Sequence, residues 1–159
     1  MEEIEQLLLK VSLFKEFTPE EVELLKQYFT YKTYKAKEIV FKEGDKGEEL
    51  FIIEKGRVTI IKQVKEETET VITHLGYADF FGELTMFEDF PRTATVKTLT
   101  DCSFLVITHT ALRKMLEQHP HMAAKFLLAL VKELANRIQK TNMIIKETLL
   151  WRLNALIFK

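Results

Sequence analysis

One cysteine stands among 159 residues, and Cys102 alone cannot close an internal disulfide or build a cysteine-ligated zinc or iron–sulfur centre. It lies in the apolar run CSFLVI, which predicts a buried, inert thiol. Arginine is also scarce: Arg57, Arg92, Arg113, Arg137 and Arg152 are the five among 23 basic residues. A net charge of −1 argues against a chain whose main task is to coat nucleic acid, because phosphate backbones demand a basic field. No stretch approaches the roughly 20 apolar residues of a membrane span. The start, MEEIEQLLLK, is acidic and lacks the long apolar run of a signal peptide. The expectation is a cytoplasmic protein with no membrane partner. His74, His109, His119 and His121 show no metal-ligand spacing with carboxylates and read as ordinary surface or strand residues.

What is present is a globular chain, 47% apolar and 30% charged, long enough for a single domain over residues 1–159. Residues 4–29 read as helical, placing N-terminal helices within 3–29. In FTPEEVELLKQYF, Thr18 suits the cap, Pro19 the first helical position, and Glu20 and Glu21 the positive helix end. Val22, Leu25 and Phe29 follow at helical spacing. From Tyr31 to Thr108 the pattern becomes short β-rich runs: EIVF, ELFIIEKG, RVTIIKQV, TVITHLG, TATVKTL and SFLVIT. Turn segments separate them, among them KEETE, with Gly44, Gly47 and Gly56 where tight turns need glycine. This predicts a mainly β fold with flanking helices, its β-roll at 31–108 an antiparallel sandwich or barrel of jelly-roll type.

C-terminal helices are expected over 110–158: a short one at 110–118, ended by His119-Pro120, then a long one from His121. Leu127, Val131, Leu134, Ile138, Thr141, Ile145 and Thr148 alternate in steps of four and three. Such a heptad seam favours a partner helix, making the 121–150 helix a dimerisation element of a homodimer. A helix packed on its own barrel is the other reading.

The stretch FGELTMFEDFPRTATV, residues 81–96, sets Glu83 and Arg92 nine residues apart among Leu84, Met86, Phe87 and Phe90. ELTMF can form a short helix, whose N-terminus offers free N–H groups to an anion. Gly82 permits close approach to the backbone. Pro91 makes a rigid entry to Arg92, and a guanidinium grips two phosphate oxygens at once, as lysine cannot. Glu83 repels phosphate, so its role is to accept from a neighbouring sugar hydroxyl or to pair with Arg92. A plain structural ion pair is the alternative.

These residues resemble the phosphate-binding cassette of cyclic nucleotide-binding domains, as in the catabolite activator family and the regulatory subunits of cyclic-AMP-dependent kinase. EIVFKEGDKGEELFIIEKGRVTI and VITHLGYADFFGE are similar to the segments that precede that cassette, and the resemblance covers about Leu8 to Leu149. It implies a double-stranded β-helix, an eight-stranded jelly roll flanked by helices. Glu83 would hold the ribose hydroxyl. Arg92 would pair with the cyclic phosphate, helped by Thr93 and by backbone N–H groups around Gly82, Leu84 and Ala94. Ile72 and Thr73 would border the base. LANRIQKTNMI resembles the activator family's long helix, where Thr141 matches a polar residue that meets the base edge, with Asn142 and Arg137 nearby. Thr141 also reads as a tolerated polar seam position, and Arg137 as a solvated one. Two positions depart from the family: Ala78 stands where glycine is usual, and Thr85, where a smaller residue is common, is expected to crowd the phosphate.

The resemblance implies a regulatory sensor that binds cAMP (cyclic AMP), with cGMP (cyclic GMP) second, and needs no cofactor or metal. In the activator family a helix-turn-helix domain follows the long helix. LLWRLNALIFK falls short of the roughly 50 residues a further domain takes, so no direct nucleic-acid binding is expected of this chain. It reads as a stand-alone sensor, as the effector-binding fragment of a longer regulator, or as a degenerate domain that has lost its ligand. A cupin-type enzyme would need clustered His and Glu ligands, and no Ser-His-Asp or Cys-His arrangement is placed by motif, so a non-catalytic chain is expected.

Overall fold

The computed structural model describes residues 2–66, 68–87 and 90–157. Glu67 of the KEETE turn, Glu88 and Asp89 of the 81–96 stretch, and Phe158, the expected last helical residue, lie outside the described residues. In chain order the strands are β1 (Thr30–Tyr34), β2 (Ile39–Phe41), β3 (Glu49–Lys55), β4 (Val58–Lys65), β5 (Thr68–Leu75), β6 (Phe80–Phe81), β7 (Thr95–Thr98) and β8 (Cys102–Thr108). They form two antiparallel four-stranded sheets, ordered β1-β8-β3-β6 and β2-β7-β4-β5. This is the expected jelly roll. β1 and β6 were not among the β-rich runs: TYKTY is half polar, and β6 is only two residues long.

Strand periodicity builds the layers. On β3 and β8, Leu50, Ile52, Leu105 and Ile107 face the helices. Their neighbours Phe51, Ile53, Phe104 and Val106 face the space between the sheets. Successive side chains point to opposite faces, so a strand covered on both sides reads as an unbroken apolar run. Phe80 and Phe81 divide in the same way. Cys102 is buried as expected, and burial pushes its thiol above the ordinary range.

The N-terminal region is a set of short pieces, not one helical stretch: α1 (Glu2–Lys10), a 3-10 turn at Ser12–Phe14, α2 (Pro19–Leu25) and a 3-10 turn at Lys26–Tyr28. Thr18 caps α2 in a reciprocal box with Glu21, its hydroxyl accepting the Glu21 N–H at 3.3 Å and its own N–H reaching Oε2 at 2.9 Å. Phe29, expected at the helix end, is already extended. α3 (His109–Gln118) and α4 (Pro120–Ile157) follow β8. α4 buries Met122, Ala123, Phe126 and Leu130, and the Phe126 ring stacks on Phe14 with centroids 5.8 Å apart. Of the heptad seam, Leu127 and Leu134 touch this core at its edge, while Val131, Ile138 and Ile145 are more than half exposed. These exposed members of the seam, Val131, Ile138 and Ile145, lie off the face of α4 that is buried within the chain.

Candidate functional site

Gly82 ends β6 in the left-handed region, at φ +83°, and caps a 3-10 turn at Glu83–Met86, the short helix expected there. The turn carries Glu83, Thr85 and Met86 inward, all three buried. Ala78 also lies in the left-handed region, at φ +66°. The family's usual glycine would take that conformation freely, and alanine pays about 1 kcal/mol for it.

Arg92 returns into the same space and is only 3% exposed. Its backbone is pinned: the N–H donates to Asp45 C=O, and its C=O accepts the Gly44 N–H, each at 2.8 Å. Nη1 donates to Thr85 Oγ1 at 2.7 Å, to Glu49 C=O at 3.0 Å and to Gly82 C=O at 3.1 Å. The guanidinium carbon lies 4.0 Å from the centre of the Phe41 ring, on its π face. A Cβ at Gly47 would fall 2.4 Å from Nη2, and one at Gly82 would fall 2.7 Å from Nη1. Gly44 and Gly56 are the turn glycines expected, with φ near +90°; Gly47 instead makes room for Arg92.

Burial pushes the Arg92 guanidinium below its ordinary value, against the opposing pull of the Glu49, Asp45 and Glu83 carboxylates. A guanidinium keeps its charge through such a shift. Nε is buried with no hydrogen-bond partner among the described residues. A buried cation with an unspent donor is costly to the fold alone and favourable to an arriving anion.

Glu83, 5% exposed, does not pair with Arg92. Its partner is Arg137, which reaches from α4 so that Nη1 donates to Glu83 Oε1. Nη2 of Arg137 lies 3.5 Å from Phe80 C=O, and its guanidinium carbon 4.8 Å from the centre of the Phe80 ring. Pairing with Arg92, one of the roles open to Glu83 in the sequence, is therefore not formed: its carboxylate takes Arg137 instead. Arg137 is likewise engaged in the site and not simply solvated. Thr85 anchors Arg92 and turns its own hydroxyl towards Gly82 C=O at 3.3 Å.

Together these groups line a cavity of about 560 Å³, within the usual range of small-molecule sites, roughly 300–1,000 Å³. Its apolar floor comes from Phe41, Ile60, Leu75, Phe81 and Val96, between the sheets. Gly82, Glu83, Leu84, Thr85, Arg92, Thr93, Ala94 and Thr73 form the polar side. Arg137, Lys140, Thr141 and Ile144 make a wall on α4. Ile72 and Asn142 are not at the cavity. Thr73 sits opposite Ile60 in the ladder, so strand alternation turns Ile72 outward, where it is 56% exposed. Asn142 falls off the helix face defined by residues 137, 140, 141 and 144. That spacing from Arg137 is the signal by which Lys140 and Ile144 could have been found. The histidines lie apart from the cavity: His74 Nδ1 is 3.0 Å from Thr59 Oγ1, and the His119 ring stands edge-on to Tyr28.

Two antiparallel sheets, flanking helices and a buried arginine beneath a glycine turn define a jelly-roll domain with a cavity of small-molecule size. The chain belongs to the cyclic nucleotide-binding domain family, whose sequence profile matches residues 31–119. It is 28% identical over 139 residues to the CRP-like cAMP-activated global transcriptional regulator of Mycobacterium tuberculosis, covering 87% of this chain and 60% of that protein. It is 34% identical over 112 residues to the cAMP-activated global transcriptional regulator Vfr of Pseudomonas aeruginosa, covering 68% of this chain and 50% of that protein. Its fold matches a cyclic nucleotide-binding domain from Methylobacillus flagellatus with a TM-score of 0.78 at 29% identity, covering 87% of this chain and 78% of the other. The chain spans 50–60% of the length of these two curated relatives.

Proposed function

We propose that residues 1–159 act as one non-catalytic cyclic-nucleotide sensor, binding cyclic AMP first and cyclic GMP second. The observation that carries the reading is Arg92, a buried cation held by three oxygens on Nη1 and carrying a donor, Nε, with no partner among the described residues. A cyclic phosphate supplies the missing acceptor and one negative charge. Thr93 and the N–H groups around Gly82, Leu84 and Ala94 complete the phosphate side. Glu83 takes the ribose hydroxyl, and the base lies towards Thr73 and the Thr141 wall of α4. The relatives' names, which couple cAMP to activation, support the ligand class.

The same reading makes the protein a homodimer through the 121–150 helix. The exposed Val131, Ile138 and Ile145 support it, because apolar side chains at heptad spacing gain by burial against a second helix. No direct contact with nucleic acid by these residues belongs to the reading. A second reading, the effector-binding part of a longer transcription regulator, is favoured by one observation: the chain spans half to three-fifths of such regulators.

Calorimetric titration with cyclic AMP and cyclic GMP tests the ligand. Binding that weakens at least about 30-fold in a folded Arg92→Ala variant is the expected result, the loss of a buried charge-assisted contact. Equal affinity in parent and variant overturns the site assignment. No binding of either nucleotide leaves a domain that keeps the cassette without its ligand.

A further inference from the structure

His109 belongs to neither the cavity nor the seam, yet it touches both halves of the arginine cradle. Its backbone N–H donates to Glu48 C=O at 2.9 Å, next to Glu49, whose C=O holds Arg92 Nη1. Its ring Nδ1 is hydrogen-bonded to Met86 C=O, the last residue of the 3-10 turn that begins after Gly82. Gly82 C=O and Thr85 Oγ1, the other two oxygens on Nη1, belong to that turn and its cap. One residue of α3 therefore clamps together the two segments whose oxygens hold the guanidinium.

Chemistry fixes the direction of the bond. A carbonyl only accepts, so Nδ1 must carry the proton. The bond satisfies one of the carbonyls that a short helix leaves open at its C-terminal end. Met86 itself is fully buried in the helical core, so the turn has a hydrophobic anchor on one side and the His109 donor on the other.

We infer that His109 is a positioning residue for ligand binding: it braces the cassette turn against the start of β3, and so sets the place of the Arg92 guanidinium. The inference rests on the proposed cyclic-nucleotide reading. It also gives the site a direct hydrogen-bonded link to α3, the element that leads into α4.

The test is a pair of variants of nearly equal size. His109→Asn keeps a side-chain N–H donor near the position of Nδ1, whereas His109→Asp presents only acceptors to the Met86 carbonyl when ionised. His109 occupies the first turn of α3, where an acid favours the helix, so a loss in the Asp variant cannot come from a weakened α3. Cyclic AMP affinity is measured by calorimetry for the parent and both variants, with thermal midpoints recorded without ligand. The expected result is affinity within about threefold of the parent for His109→Asn and at least about tenfold weaker for His109→Asp, at similar midpoints. Equal affinities for the two variants overturn the inference. So does an Asp variant that loses affinity only in step with a lowered midpoint. A parent that binds neither cyclic AMP nor cyclic GMP removes the sensor reading itself, and the positioning role with it.

Discussion

Thr85 Oγ1 lies 2.7 Å from Arg92 Nη1, and both side chains are at least 97% buried. A hydroxyl at this place does two things at once: it accepts from the guanidinium and donates back to Gly82 C=O. Thr85→Val keeps the shape and removes the acceptor. It should cost about 1 kcal/mol of stability and weaken cyclic AMP binding about five- to tenfold, as Arg92 loses its shortest contact. Thermal melting and calorimetry on the same sample read both effects.

Gly47→Ala should harm binding more than folding. The new methyl would overlap the Arg92 guanidinium end, 2.4 Å from Nη2, while the backbone conformation of Gly47 is open to alanine. A displaced guanidinium can be accommodated by the fold at about 1–3 kcal/mol, but it no longer meets a ligand in the cradle. The expected outcome is a folded protein whose affinity falls at least about tenfold, measured by titration after circular dichroism establishes the fold. Unchanged affinity would place the phosphate elsewhere.

Arg137→Met leaves Glu83 buried without its cation. The pair is partly open to solvent on the arginine side, with 44% of the Arg137 side chain exposed against 7% for Glu83. The expected loss is therefore about 1–2 kcal/mol, below that of a fully buried pair. Adding Glu83→Gln removes the stranded charge and should restore part of the loss. A chemical denaturation cycle over the two single variants and the double variant gives the coupling.

Ile138→Asp should split the proposed homodimer while sparing the site. Ile138 is 61% exposed within one chain and sits mid-seam, so a charge there costs about 0.5 kcal/mol or less in helix propensity until two helices meet. Sedimentation at tens of micromolar should give twice the chain mass for the parent and the single mass for the variant. A parent that sediments as a monomer would leave the seam without a role.

Where burial follows from side-chain type and phase, the fold was legible: ELFIIEKG and SFLVIT announce strands covered on both faces, and Thr18-Pro19 announces a helix start. TYKTY did not announce β1, because its pairing with β8 is a backbone event that polar alternation conceals. At the site, Arg92 stood out as a rare arginine after a proline. Its cradle did not, since two of the three oxygens on Nη1 are carbonyls, which every residue carries alike. The partner of Glu83 lies 54 residues further along, on another element, so no local spacing points to it. Ile72 against Thr73 shows the remaining difficulty: the strand is evident in TVITHLG, but its phase is set by the ladder with β4, and one residue separates the cavity from solvent.

The 38 residues of α4 run unbroken from the core past the cavity wall. At 1.5 Å per residue, the segment from Arg137 to Ile157 extends about 30 Å beyond the ion pair with Glu83. A tilt of about 10° at that pair therefore carries the far end of the rod through about 5 Å. In purely geometric terms, a small adjustment around a single carboxylate corresponds to a displacement the size of a side chain at Ile157.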